Sequence, residues 1–188
     1  EQLTMAVERK LYTVEEFEQF LAQSENRDRL FELIDGEIVE KMPTQEHGAI
    51  ALNIGSEFRI YLRTHPIGVA SVETRHALPE DRYNDRIPDV AFNRRNENPI
   101  VRQGAVPKMP DLAVEIKSPG DSYRQMQDTA AYYIAHGSQL VWLVYPEKRL
   151  VAIYRADGTD DILTENDTLS GEDVLPGFTL PITTIFEF

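Results

Sequence analysis

The sequence predicts a single domain of the mixed α/β kind, in its α+β form. It is a mixed β-sheet flanked by helices, with an added N-terminal helix and β-hairpin. Three observations predict this. The chain has 188 residues, 41% of them hydrophobic and 27% charged, which suits one globular domain over 1–188 with a sizeable core. Its middle reads helix, strand, strand, strand, helix, strand, with the fold's core over about 44–145. Two of those strands set charged residues among apolar neighbours: Ile87-Pro88-Asp89-Val90-Ala91-Phe92, and Asp111-Leu112-Ala113-Val114-Glu115-Ile116-Lys117.

The elements follow in order. Residues 1–10 lack the apolar stretch of a signal peptide and are expected to be flexible. Thr13-Val14-Glu15-Glu16 is a capping box, and Val14, Phe17, Phe20 and Leu21 recur at helical spacing. The β-like runs 29–34 and 37–42 flank Asp35-Gly36, a hairpin signal because a type I′ turn needs positive φ at both central positions. Thr44 is the candidate N-cap of a helix with the stripe Ile50, Ile54, Phe58 and Tyr61 or Leu62, ending before Pro66.

Residues 67–79 and 86–94 read as two strands joined by a polar turn from Glu80 to Asp85, and 95–109 as a loop. A third strand covers about 111–118. Pro119-Gly120-Asp121-Ser122 turns and caps a helix through Met126, Ala130 and Ile134, which Gly137 closes. Leu140 to Tyr145 is the continuous apolar run of a strand buried on both faces. Arg149 to Arg155 alternates and is expected to pair with it through Pro146-Glu147-Lys148. The tail from 160 reads as short strands and loops.

Side chains alternate faces along a strand that rises about 3.3 Å per residue, so Glu115 and Lys117 project from one face, roughly 7 Å apart. Leu112, Val114 and Ile116 project from the other. A carboxylate and an ammonium at period two, beside a strand offering Asp89, make a compact hard-oxygen site. Such a site suits Mg²⁺, which takes one or two protein carboxylates and leaves room for phosphate oxygens.

The net charge of −13, from 32 acidic against 19 basic residues, counts against a simple nucleic-acid-binding module. It leaves a nuclease open, because a divalent ion supplies local positive charge. The absence of cysteine excludes disulfides and thiolate metal sites and is compatible with a cytoplasmic location. No apolar run approaches the ~20 residues of a membrane span, so no membrane partner is expected.

The element order, with Pro88-Asp89 on the second strand and Glu115-Ile116-Lys117 on the third, resembles the PD-(D/E)XK nuclease superfamily. More narrowly, the chain looks like the putative restriction endonuclease family expanded in cyanobacteria. The matching residues run from Phe31-Glu32-Leu33-Ile34-Asp35-Gly36-Glu37 through His47-Gly48 and Pro88-Asp89-Val90-Ala91 to Pro110 through Pro119. Tyr133 with Gly137, and Val141-Trp142-Leu143-Val144, complete the set. The likeness covers about residues 11–188. It implies a restriction-endonuclease-like fold and metal-dependent phosphodiester hydrolysis of DNA. Many members carry their lysine inside the helix after the third strand, at the position of Thr129. This chain has Lys117 at the superfamily's usual place.

On that resemblance, Asp89, Glu115 and the Ile116 backbone carbonyl would hold Mg²⁺ or Mn²⁺, and Lys117 would orient water or stabilise developing charge. Glu32 would reach the metal through water or pair with an arginine. His47, in a helix's first turn, would contact phosphate or serve as a cap. The bland alternative for Asp89, Glu115 and Lys117 is a salt bridge, and three charges in this order favour a site. Tyr133 reads as packing with a bonded hydroxyl, and Asp111 as solvated or capping. Arg59 and Arg63 read as a solvated face, and His65, His76 and His136 have no ligand spacing. Asp157 to Asp161 reads as a hairpin turn rather than a calcium loop. Double-strand cutting would favour a homodimer. Two other readings compete: a silent nuclease-fold protein that binds nucleic acid or a protein partner, and a carboxylate-pair glycosidase. Lys117 so close to Glu115 argues against the last.

Overall fold

The computed structural model describes residues 10–95 and 100–188. The expected flexibility of residues 1–10 therefore lies outside the described residues except at Lys10, as does the 96–99 part of the predicted loop.

Helix α1 (Val14–Leu21) has the expected capping box: Thr13 Oγ1 accepts from Glu16 N, and the Glu16 carboxylate accepts from Thr13 N at 2.9 Å. Strands β1 (Leu30–Ile34) and β2 (Glu37–Lys41) form the hairpin, with Asp35 at φ +49° and Gly36 at φ +82°. Helix α2 (Gln45–Thr64) is capped by Thr44 and buries Ile50, Ile54, Phe58 and Leu62. Then come β3 (Gly68–Val72), β4 (Val90–Arg94), β5 (Leu112–Ile116), α3 (Tyr123–Ala135), β6 (Leu140–Tyr145), β7 (Leu150–Arg155) and β8 (Asp160–Leu163). The tail adds β9 (Thr168–Ser170), β10 (Thr179–Pro181) and a short helix α4 (Ile182–Ile185).

Strands β3 to β8 form one six-stranded mixed sheet in sequence order. Neighbours are antiparallel except β5 and β6, which α3 connects as a crossover. One face carries Leu112, Val114, Ile116 and Trp142 under α2 and the tail. The other carries Ala113, Val141 and Leu143 under Met126, Ala130 and Tyr133 of α3. Strand β6 is buried along its whole length, as its apolar run predicts. Among the described residues no helix is long and apolar enough to cross a membrane.

The two long strands expected over 67–79 and 86–94 are shorter. Residues 73–89 hold isolated bridges, His76 to Arg86 and to Val106, rather than a ladder. The physical reason is that this segment bonds to the hairpin instead. Leu33 N donates to Asp85 O and Asp85 N to Leu33 O, both at 2.9 Å, while Gly36 N donates to Tyr83 O at 2.8 Å. Arg75 adds ion pairs to Asp85 and, at 2.6 Å, to Glu18 of α1. Phe17, Phe31 and Leu33 close a small core beneath. The hairpin is thereby fixed against the approach to β4.

Leu33 is fully buried at the centre of that contact. Leu33→Ala is expected to cost roughly 2–5 kcal/mol in urea unfolding, the range for a buried leucine cavity. A loss below 1 kcal/mol would show that the hairpin does not share the domain's cooperative unit.

Candidate active site

Strand β4 pairs with β5 so that Val90 faces Val114 and Ala91 faces Ala113. One step further, Asp89 lies opposite Glu115, on the sheet face that α3 covers. Both side chains are buried, at 1% and 8% relative exposure. The expected juxtaposition of the two carboxylates is present.

Four elements deliver the surrounding groups. From β5, Ile116 N donates to Asp89 Oδ2 at 2.7 Å. From the first turn of α2, His47 Nε2 lies 3.1 Å from the same oxygen. An ionised carboxylate only accepts, so Nε2 carries the proton. From β2, Lys41 Nζ donates to Asp89 Oδ1 at 2.7 Å and to Ile87 O at 2.6 Å, and stands 3.9 Å from Glu115 Oε2. From α3, the Tyr133 hydroxyl donates to Glu115 Oε1 at 2.8 Å. Glu32 of β1 accepts from Ile87 N at 3.0 Å, so the hairpin grips both polar groups of the Ile87 backbone, two residues before Asp89.

The two carboxyls shift in opposite directions. Burial works to raise Asp89, but the Lys41 ammonium and His47 outweigh it and hold Asp89 below the ordinary carboxylate range. Burial raises Glu115 well above that range; Lys41 pulls it down, while Asp89 and Glu32 push it further up. Glu32 is also raised, mainly by burial. Lys41 is raised despite its burial, by Glu115, Asp89 and Glu32. Tyr133 is raised well above its usual value by burial and by Glu115.

The sequence-predicted residues divide accordingly. Asp89, Glu115, the Ile116 backbone and His47 converge, and Glu32 is one peptide away. Lys117 makes other contacts: it pairs with Glu147 at 3.4 Å, donates to Ser118 O at 3.3 Å and lies 5.3 Å over the Tyr123 ring. The ammonium between the carboxylates belongs to Lys41, which sequence reasoning missed. A signal was available. The Asp-Gly turn pairs Ile34 with Glu37 and Leu30 with Lys41, so Glu32 and Lys41 share one hairpin face as diagonal neighbours. Asp111 accepts from Arg94 N and Lys108 Nζ, both at 2.8 Å, in the capping role expected. Arg59 and Arg63 are exposed. Among the described residues no group of three or more His, Asp or Glu side chains is arranged to hold a metal ion.

A family model described as putative restriction endonuclease, Uma2, matches residues 14–183. A crystal structure of a putative nuclease belonging to DUF820, from Anabaena variabilis ATCC 29413, superposes with a TM-score of 0.78. It is 22% identical, over 93% of this chain and 97% of that one. That likeness shows the fold. No curated protein matches the chain.

The opposite shifts predict opposite mutational effects in metal-free protein. Asp89, depressed when folded, contributes stability that is present above the unfolded carboxyl range and lost as pH falls through its folded value. Asp89→Asn is expected to cost roughly 2–4 kcal/mol near pH 7. Glu115, raised when folded, costs stability as pH rises through its folded value. Glu115→Gln is expected to match wild type in acid and to gain over it as pH rises. Urea unfolding in EDTA at several pH values measures both, and equal effects at the two positions would contradict the assignment.

Proposed function

Since the chain belongs to this putative restriction endonuclease family, matched over residues 14–183, we propose that it is a divalent-metal-dependent nuclease cleaving DNA phosphodiester bonds. Asp89, Glu115 and the Ile116 carbonyl are its proposed metal-holding groups. The observation that carries this reading is the pair of buried carboxylates gathered around one ammonium, Asp89 at 2.7 Å and Glu115 at 3.9 Å from Lys41 Nζ. A place where two carboxylates already face one cation fits Mg²⁺ or Mn²⁺, which need only one or two carboxylates plus water. The Ile116 carbonyl suits it as well, because the N–H of the same residue already points at Asp89.

A bound divalent ion would supply Lewis-acid polarisation of the scissile phosphate and activation of water. The chain's own residues do the rest. The Ile116 N–H and the His47 ring fix Asp89 Oδ2 and leave Oδ1 for a cation. The Tyr133 hydroxyl holds Glu115 Oε1 and turns Oε2 toward the same place. Glu32 acts indirectly, holding the Ile87 peptide that sets Asp89. Lys117, on the face of Glu115, would meet the phosphate once Glu147 yields. Lys148 lies 4.3 Å over the Tyr123 ring that Lys117 also approaches, so two ammonium groups gather at one aromatic. Glu147 pairs with Lys117 here, so the two ammonium groups would meet a phosphate backbone with their full charge only once that pair opens, despite the net −13 of the chain. One copy carries one Asp89–Glu115 pair, so it would nick a single strand; double-strand cutting would call for a two-fold dimer.

Incubation of supercoiled plasmid with the protein in Mg²⁺ or Mn²⁺ is expected to give nicked circles, and EDTA to prevent it. Asp89→Asn and Glu115→Gln are each expected to lower the rate on the order of 10²–10³-fold, the effect typical of losing one transition-state charge contact. Nicking that survives either substitution would assign the activity elsewhere. No nicking with any metal, alongside retained DNA binding, would favour the binding-only reading.

A further inference from the structure

The cation between the carboxylates belongs to the chain itself. Lys41 Nζ touches Asp89 Oδ1 and Ile87 O and faces Glu115 Oε2, with its side chain only 14% exposed. Both Asp89 oxygens are in use: Oδ2 accepts from Ile116 N and His47, and Oδ1 accepts from Lys41. On Glu115, Oε1 is held by Tyr133 and Oε2 faces Lys41. The oxygens open to a metal, Asp89 Oδ1 and Glu115 Oε2, are the two that Lys41 addresses. An ammonium and a divalent ion a few ångströms apart in a buried site repel strongly, because the low local dielectric does not screen them.

We propose that Lys41 is a built-in stand-in for the metal: its ammonium holds Asp89 and Glu115 in the ligand arrangement, and a divalent cation binds by exchanging with it. The proposal rests on the metal-dependent reading above. It makes Lys41 a positioning residue, because it acts through the two carboxylates. Without Lys41, an ionised Glu115 would face an ionised Asp89 across β4 and β5 with no cation between them, and Glu115 would take up a proton instead. With it they stay together before any metal arrives. The same ammonium then competes with the metal, so metal affinity is set by the difference between the two cations. The hairpin is suited to an exchange. Lys41 is the last residue of β2, at the hairpin's open end, and its neighbour Met42 is 78% exposed. Its four-carbon stem can swing outward while the hairpin's backbone bonds to 83–85 stay in place.

Two measurements test the exchange. Calorimetric titration with Mg²⁺ and Mn²⁺ compares wild type with Lys41→Met, an uncharged side chain of similar length. Lys41→Met is expected to bind at least tenfold more tightly. Equal or weaker binding in the variant would overturn the exchange and leave the nuclease reading intact; no binding by either protein would overturn both. The second measurement uses wild type only and needs no variant to fold. Lysines are acetylated with and without saturating Mg²⁺ and the sites read by peptide mass spectrometry. Lys41 is expected to be protected in EDTA and to become several-fold more reactive with Mg²⁺, while Lys108, paired with Asp111, stays unchanged. Unchanged Lys41 labelling in protein that calorimetry shows to bind Mg²⁺ would overturn the proposal.

Discussion

A single buried charge organises the site half of this molecule. Asp89 is almost wholly removed from water and remains ionised. A carboxylate in that position is tolerable only if donors replace its lost hydration. The chain brings three, each from a different element: a strand amide, a helix histidine and a hairpin lysine. That requirement accounts for features otherwise unconnected. The hairpin forms its own two-stranded sheet, yet it docks where its last residue reaches Asp89. Helix α2 starts where its capped first turn aims His47 at the same oxygen. The approach to β4 abandons regular pairing, so its backbone is free to bond with the hairpin.

Asp89 and Glu115 share a face and a neighbour, yet their environments separate them. Among the described residues Asp89 receives three donors and Glu115 one direct hydrogen bond, from a neutral hydroxyl, with the lysine 3.9 Å away. The nearer ammonium is worth much more to the first than to the second, since Coulomb attraction and hydrogen bonding both weaken with distance. The result is one carboxyl held ionised and one pushed toward protonation. The splitting comes from geometry: the Lys41 ammonium lies 2.7 Å from Asp89 and 3.9 Å from Glu115, whose direct partner is the Tyr133 hydroxyl of α3.

Much of this was legible in the sequence, and the limits are physical. The Thr13 capping box, the Ser122 cap, the Asp-Gly turn and the apolar run of β6 rest on local rules and appear where expected. Period two sets Glu115 on one face of its strand, and the antiparallel register of β4 and β5 brings Asp89 opposite it. The unpaired stretch 73–89 was not legible, because its bonds go to residues some fifty positions earlier, such as Leu33 to Asp85. Lys41 was hidden for the same reason. Its face could be read from the hairpin register, but nothing local says that this face meets Ile87 and Asp89. Lys117 shows the converse. Its parity with Glu115 is correct, yet its ammonium has a closer partner in Glu147, contributed by the turn after β6.

A lysine between two acids is usually a structural salt bridge, and replacing such a bridge with apolar groups is often neutral or stabilising. The arrangement here differs in what the lysine leaves unused. A bridge built for stability would match each carboxylate oxygen with a donor at hydrogen-bond distance. Lys41 does so for Asp89 and stops 3.9 Å short of Glu115. It also donates to Ile87 O, which ties it to the approach to β4 on the Asp89 side. The under-bonded oxygen, Glu115 Oε2, faces the ammonium across a gap that a small, doubly charged ion would close with shorter contacts to both acids. Magnesium–oxygen distances of about 2.0–2.1 Å are shorter than any nitrogen–oxygen hydrogen bond. In the proposed exchange, the lysine holds the two acids together loosely, and a divalent cation would do the same thing more tightly.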